Sequence, residues 1–223
     1  GVTALLVACA EGHGETVEAL LEWGATPCLE DALGVCPLLQ ACQSGHADVA
    51  RRLLRKGVFP NRAGRGKEQE TALIAASAGG FVEVVRALLE HGVDVHQGDH
   101  RGRSALFFAC QSLGGQWAVV RALLDAGAGL FHADGKGNTA LHLACQAGHT
   151  DAVRAMAGGS LIDTGNHEGG TALMAASYRG HVECVRALLG AGASVSVVDA
   201  QGRHALWWAL GLWKVVQALV AAG

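Results

Sequence analysis

Three histidines and two aspartates crowd one short run of the chain: His91, Asp94, His96, Asp99 and His100. Imidazole and carboxylate are ligands for zinc and related metals. Their placement argues against a metal site, because residues alternating along an extended segment point to opposite sides. Seven cysteines form the next set. No Cys-x-x-Cys pair occurs, which removes the usual structural zinc signature. Cys9, Cys42, Cys110 and Cys145 recur at one register and read as small residues of packed helices, too far apart for disulfides and therefore reduced. Gly135, Gly137 and Ala140 imitate a dinucleotide fingerprint, but that motif needs a strand and a long helix around it. No Gly-x-Ser-x-Gly, no His-Glu-x-x-His and no phosphate-binding Gly-Lys-Ser/Thr is present. The expectation is a protein that is not an enzyme, with no metal and no cofactor. Trp207, Trp208 and Trp213 are a last candidate, since an aromatic cluster holds a methylated ammonium group by cation–π attraction.

The elements that carry these residues repeat. A triplet of the Thr-Ala-Leu type begins at Thr3, Cys36, Thr71, Ser104, Thr139, Thr171 and His204, at spacings of 32 to 35 residues. A fixed period of that size means stacked units, each too small to bury its apolar face alone. Within a unit a short helix follows the triplet, then a Gly-His turn, as at Gly12-His13, Gly45-His46, Gly148-His149 and Gly180-His181. A second helix follows, with Val and Leu at helical spacing on one side and Arg and Glu on the other. A connection then returns to the next triplet, usually through Asp-x-x-Gly, as at Asp31, Asp99, Asp134 and Asp199. Asp starts such a turn and Gly supplies its positive φ.

The run Thr139-Ala140-Leu141-His142-Leu143-Ala144 matches the Thr-Pro-Leu-His-x-Ala signature, and Thr71 and Thr171 open looser copies. On these motifs the chain resembles the ankyrin-repeat family over essentially its whole length. The resemblance implies an all-α solenoid of seven helix-turn-helix pairs with projecting β-hairpin-like fingers, one domain over 1–223 and a fragment of a longer protein. It also implies a protein–protein interaction module, a scaffold or adaptor that binds a peptide segment or protein surface on its groove and finger tips. Carried over position by position, the partner-binding residues are His100, Arg101, Arg103, Gln111, Lys136, Asn138, Gln146, His167, Glu168, Tyr178, Arg179 and Arg203. The third unit adds Lys67, Glu68 and Glu70. From the fourth unit onward this strip leans basic, which favours an acidic partner. Two alternatives are a substrate-recruiting domain of a larger enzyme such as a ubiquitin ligase, and a methyl-lysine reader using the Trp cluster.

Several units depart from the pattern. Cys36 replaces the capping Thr of the second. Two residues are inserted around 113–116 in the fourth. The second helix of the fifth ends one residue early, at Gly158-Gly159, and is expected to be the softest. The seventh lacks Gly-His and is almost wholly apolar from Ala205 onward. Its length approaches a membrane span, but the intact register favours a compressed last repeat, and its apolar outer face makes self-association through that end conceivable. The net charge of −3 gives no case for nucleic acid. Seven cysteines without a disulfide framework suit an intracellular protein, cytoplasmic or nuclear.

Overall fold

Most triplets open a helix because their first residue offers a side-chain acceptor to a backbone N–H three positions on, and His204 is without such a cap. Thr3, Thr71 and Thr171 accept from Leu6, Ile74 and Met174 in this way. At Cys36, where the hydroxyl is missing, the thiol takes over and accepts from the Leu39 N–H at 3.5 Å. Pro37 follows at the first helical turn, where its missing N–H costs nothing.

The computed structural model describes residues 3–32, 34–64, 69–112, 116–158 and 161–222. Lys67, Glu68, Gly159 and the insertion at 113–115 lie outside them. Fourteen helices appear among the described residues, in seven pairs and with no strand longer than an isolated bridge. The pairs are α1 (Ala4–Ala10) and α2 (Gly14–Glu22), α3 (Pro37–Ser44) and α4 (Ala47–Arg55), α5 (Ala72–Gly79) and α6 (Val82–Glu90), and α7 (Ala105–Gln111) and α8 (Trp117–Asp125). Then come α9 (Ala140–Ala147) and α10 (Thr150–Met156), α11 (Ala172–Arg179) and α12 (Val182–Gly190), and α13 (Ala205–Trp208) and α14 (Trp213–Val220). Between pairs, single antiparallel bridges join Ala63 to Thr71, Ala133 to Thr139 and Val198 to His204, so the expected fingers are hairpins reduced to one bridge.

The chain forms two compact units, residues 1–109 with 118–129, and residues 110–117 with 130–223. In the first, α1 packs on α3 and α3 on α5, while α2 packs on α4 and α4 on α6. The second repeats the scheme: α9, α11 and α13 form one layer and α10, α12 and α14 the other. The core is made of the Leu of each triplet and the Val and Leu of each second helix, with Leu38, Leu73, Leu106, Leu123, Leu173 and Leu188 essentially sealed.

The Gly-His turn ties each pair to the one before it. His46 Nε2 lies 2.8 Å from the Ala10 carbonyl, His149 Nε2 2.7 Å from Ser112 and His181 Nε2 3.2 Å from Gln146. The preceding helix ends on a glycine at positive φ, and a Cβ on Gly148 would sit 2.8 Å from the His181 ring. Phe81 fills this place against Gly45, and Leu212 does so against Gly180. The seventh repeat is compressed as expected: α13 has only four residues, yet it packs on α11 and α14 packs on α12. Among the described residues no helix is long and apolar enough to cross a membrane.

Candidate functional site

In the C-terminal unit the fingers and first helices of repeats five to seven enclose a groove of about 330 Å³. Five of the residues carried over from the family pattern line it: Asn138, Gln146, Glu168, Tyr178 and Arg203. Lys136, His167 and Arg179 belong to the same unit and are exposed beside it, on finger tips or at the end of α11. His100, Arg101 and Arg103 sit on the finger of repeat four, in the other unit, and Gln111 ends α7.

A chain of side-chain amides shapes the floor. Asn138 Nδ2 donates to Asp134 Oδ2 at 3.2 Å, and Asn166 Nδ2 donates to Asn138 Oδ1 at 2.9 Å. Asn166 Oδ1 then accepts the backbone N–H groups of Glu168 and Gly170. The carboxylate at one end accepts only, which fixes the orientation of both amides. Asn166 thus does for repeat six what Asp99, Asp134 and Asp199 do elsewhere. The sequence pattern Asp-x-x-Gly missed it, although Asn166-x-x-Gly169 carries the same turn chemistry.

His142 is the second fixture of the floor. Its Nδ1 accepts from the Thr139 N–H at 3.2 Å and faces the Thr139 hydroxyl at 2.9 Å, the reciprocal capping box of α9. Nε2 therefore carries the proton and donates to the Gly170 carbonyl at 2.9 Å. Burial pushes the imidazole pKa down, against the pull of the Gly170 carbonyl and the Asp134 charge, so the ring is neutral at physiological pH.

Arg103 and Arg203 are less available than their places in the sequence suggest. Arg203 Nε donates to Asp199 Oδ2 at 2.8 Å, and its guanidinium lies 4.2 Å from the Trp208 ring centre and 4.8 Å from that of Trp207. Arg103 repeats the arrangement with Asp99 at 2.7 Å and the Phe108 ring at 4.8 Å. Burial alone would raise the Asp99 carboxyl. The Arg103 side chain and the backbone N–H groups of Arg103 and Arg101 outweigh it and hold the group below the usual carboxylate range. At Asp199 the backbone and side chain of Arg203 and the Gln201 N–H do the same. Each arginine is held by a carboxylate four residues before it and an aromatic ring five residues after it. The basic lean of the strip is correspondingly smaller than a count of its arginines.

The remaining charges stand apart. Arg179 lies 5.8 Å from the Tyr178 ring centre, and among the described residues no carboxylate is within ion-pair reach of it. Glu168 and Lys136 are likewise exposed, with no side-chain ion pair among the described residues.

The tryptophans do not gather into one cage. Trp207 and Trp208 meet edge to face at 5.1 Å, and Trp208 meets Tyr178 the same way at 5.4 Å. Trp213 stands on α14, 73% exposed, with no ring contact among the described residues. The cation position over the paired indoles is filled by the chain's own Arg203.

The histidine run is engaged locally: His91 Nδ1 lies 2.8 Å from the Ala87 carbonyl, and Asp94 accepts from the His96 N–H at 2.9 Å. Among the described residues no three His, Cys, Asp or Glu side chains converge as metal ligands. All seven cysteines are free. Burial pushes the Cys9 and Cys110 thiols up to about 12, so neither carries the thiolate that nucleophilic chemistry requires.

Known proteins share this arrangement. A family model described as ankyrin repeats in three copies matches residues 1–64, 59–134, 98–164, 119–199 and 158–223, which together span the chain. The crystal structure of the human ASB11 ankyrin repeat domain is 28% identical and superposes with a TM-score of 0.86, over 100% of this chain and 98% of that one. The ankyrin repeat domain of Bcl-3, described as a unique member of the IkappaB protein family, is 25% identical with a TM-score of 0.83, over 99% of each chain. No curated protein sequence matches the chain.

Proposed function

Because the chain belongs to the ankyrin-repeat family, whose domains are generally protein–protein interaction modules, we propose that it is a non-catalytic scaffold or adaptor. It binds a peptide segment or protein surface along the groove of repeats five to seven. The observation that carries this reading is the groove itself: five positions carried over from the family pattern line it, over a floor of amides, the His142 ring and the apolar surface of Met174 and Ala175. Exposed Tyr178 beside Arg179 supplies the residue types enriched at binding hot spots. The free buried thiols favour an intracellular setting, in the cytoplasm or the nucleus.

The test is affinity purification with the wild-type chain beside a Tyr178→Ala, Arg179→Glu double variant. Both side chains are exposed, so the variant keeps its fold, checked by an unchanged thermal unfolding midpoint. Proteins recovered by the wild type and lost from the variant place the partner on this groove. Recovery of the same proteins by both baits overturns the reading.

A further inference from the structure

Repeat six lacks two side chains that its neighbours have. Immediately before the triplet, repeats four, five and seven carry Arg103, Asn138 and Arg203, whereas repeat six carries Gly170. Four residues into the triplet register they carry Phe108, Leu143 and Trp208, whereas repeat six carries Ala175. In repeats four and seven those two positions pack against each other, guanidinium on aromatic ring. In repeat six the guanidinium and the ring are both missing, the Asn166 side chain stands 3.2 Å from where a Gly170 Cβ would be, and both Gly170 and Ala175 line the groove.

The chemistry of the gap selects its occupant. The polar groups next to Gly170 are bonded within the chain. Asn138 and Asn166 are joined to each other and to Asp134, His142 bonds Thr139 and the Gly170 carbonyl, and Thr171 accepts from the Met174 N–H. Glu168 and the Arg203-bound Asp199 also line the groove, with the amide of Gln146. Met174, Ala175 and the Tyr178–Trp208 ring pair offer apolar surface. Its volume is at the low end of the roughly 300–1,000 Å³ range of ligand pockets.

Charge gives the direction. Glu168 precedes α11 on its finger and Arg179 ends that helix, each without an ion-pair partner among the described residues. The helix between them has eight residues, about 12 Å at 1.5 Å per residue. An extended chain covers that distance in about four residues.

Resting on the groove reading above, we propose that the Gly170/Ala175 gap is an anchor pocket for one leucine- or methionine-sized side chain of an extended partner segment. That segment carries an acidic residue on the Arg179 side of its anchor and a basic residue on the Glu168 side.

The test uses the whole chain to select from a random peptide library displayed on phage. The wild type enriches peptides with a large aliphatic or methionine residue between a base and an acid, a few residues apart. Ala175→Leu reduces binding of those peptides by at least about tenfold, because it fills the pocket from within and excludes the anchor from burial. Leu143 occupies the same register in repeat five, so this substitution keeps the fold, verified by thermal unfolding. The second variant, Glu168→Lys with Arg179→Glu, leaves the pocket intact and selects the same anchor with the two charges exchanged. Enriched peptides that bind Ala175→Leu undiminished overturn the anchor pocket and leave the groove reading standing. So does enrichment of lysine or arginine at the anchor. Unchanged charge order with the double variant overturns the assigned direction. A wild-type chain that enriches no peptide overturns the pocket and the groove reading together.

Discussion

Repeats six and seven meet across one groove and hold their fingers to their helices by opposite means. Repeat seven does it within itself: Asp199, Arg203, Trp207 and Trp208 form a charged, aromatic clamp inside one repeat. Repeat six does it through its neighbour: Asn166 is tied to Asn138 and the Gly170 carbonyl to His142, both from repeat five. The first solution spends a charge and fills the space between finger and helix. The second uses neutral groups, anchors the finger from outside and leaves the space empty. An open pocket in repeat six and a closed one in repeat seven follow from that choice.

The contrast breaks most severely at His142. The ring is 2% exposed and both nitrogens are engaged. His142→Ala leaves a cavity and removes one of the two donors to the Gly170 carbonyl, the other being the Asn166 N–H, and costs about 3 kcal/mol, read as a shift in the urea unfolding midpoint. The same ring gives the wild type a pH dependence. Its folded pKa is below the ordinary histidine value, so the unfolded chain takes the proton first as pH falls. Stability present at pH 7 declines below about 6.5. The difference between wild-type and His142→Ala stability shrinks between pH 7 and 5; a constant difference refutes the assignment of a neutral ring.

A smaller effect is expected at Asn166, where the comparison can be tested by exchange. Asn166→Asp supplies repeat six with the residue type of repeat seven and keeps the turn bonds to the Glu168 and Gly170 N–H groups. It replaces the donor that faces Asn138 Oδ1 with an acceptor, and the Asn138 amide cannot turn to compensate without losing Asp134. The expected cost is about 1–2 kcal/mol, the penalty of opposing two acceptors. Asp199→Asn meets the opposite conflict, because an Nδ2 group would replace the oxygen that accepts from Arg203 Nε and Trp208 Nε1. An Asn166→Asp variant as stable as the wild type would show that the amide chain between repeats five and six contributes nothing.

How much of this was legible in the sequence depends on whether a residue acts within its own repeat. The triplets, the Gly-His turns and the Asp-x-x-Gly turns are local, and their period placed all seven helix pairs, including the compressed one at His204. The Cys36 cap was not legible, because capping preferences rank hydroxyl and amide acceptors, not thiols. The candidate strip overcounted charge. Arg103 and Arg203 read as free cations until Asp99 and Asp199 are seen beneath them, although an Asp four residues earlier and an aromatic five residues later are visible in the sequence once the clamp is known. The three tryptophans read as one cluster because they are close in sequence, whereas Trp213 belongs to a different helix. The pocket was the least visible feature, since it is marked by what Gly170 and Ala175 lack, and an absence acquires meaning only when the repeats are aligned in space.

The least disruptive test addresses the clamp of repeat seven. Arg203→Gln removes the cation but leaves Asp199 with the backbone N–H groups of Gln201 and residue 203 and with Trp208 Nε1 at 3.2 Å. Arg203 is partly exposed, so solvent screens the pair, and the loss at pH 7 is the smallest of these effects. The sharper readout is the acid limb. Asp199 has a folded pKa below its unfolded value, so its contribution is present above the unfolded value and is lost as pH falls through the folded one. Without Arg203 the carboxyl moves back toward its ordinary range, and that loss begins at higher pH. An NMR titration of the Asp199 carboxyl reads the change directly. If the titration does not move, the backbone N–H groups alone hold the charge, and the arginine serves only to fill the space that repeat six leaves open.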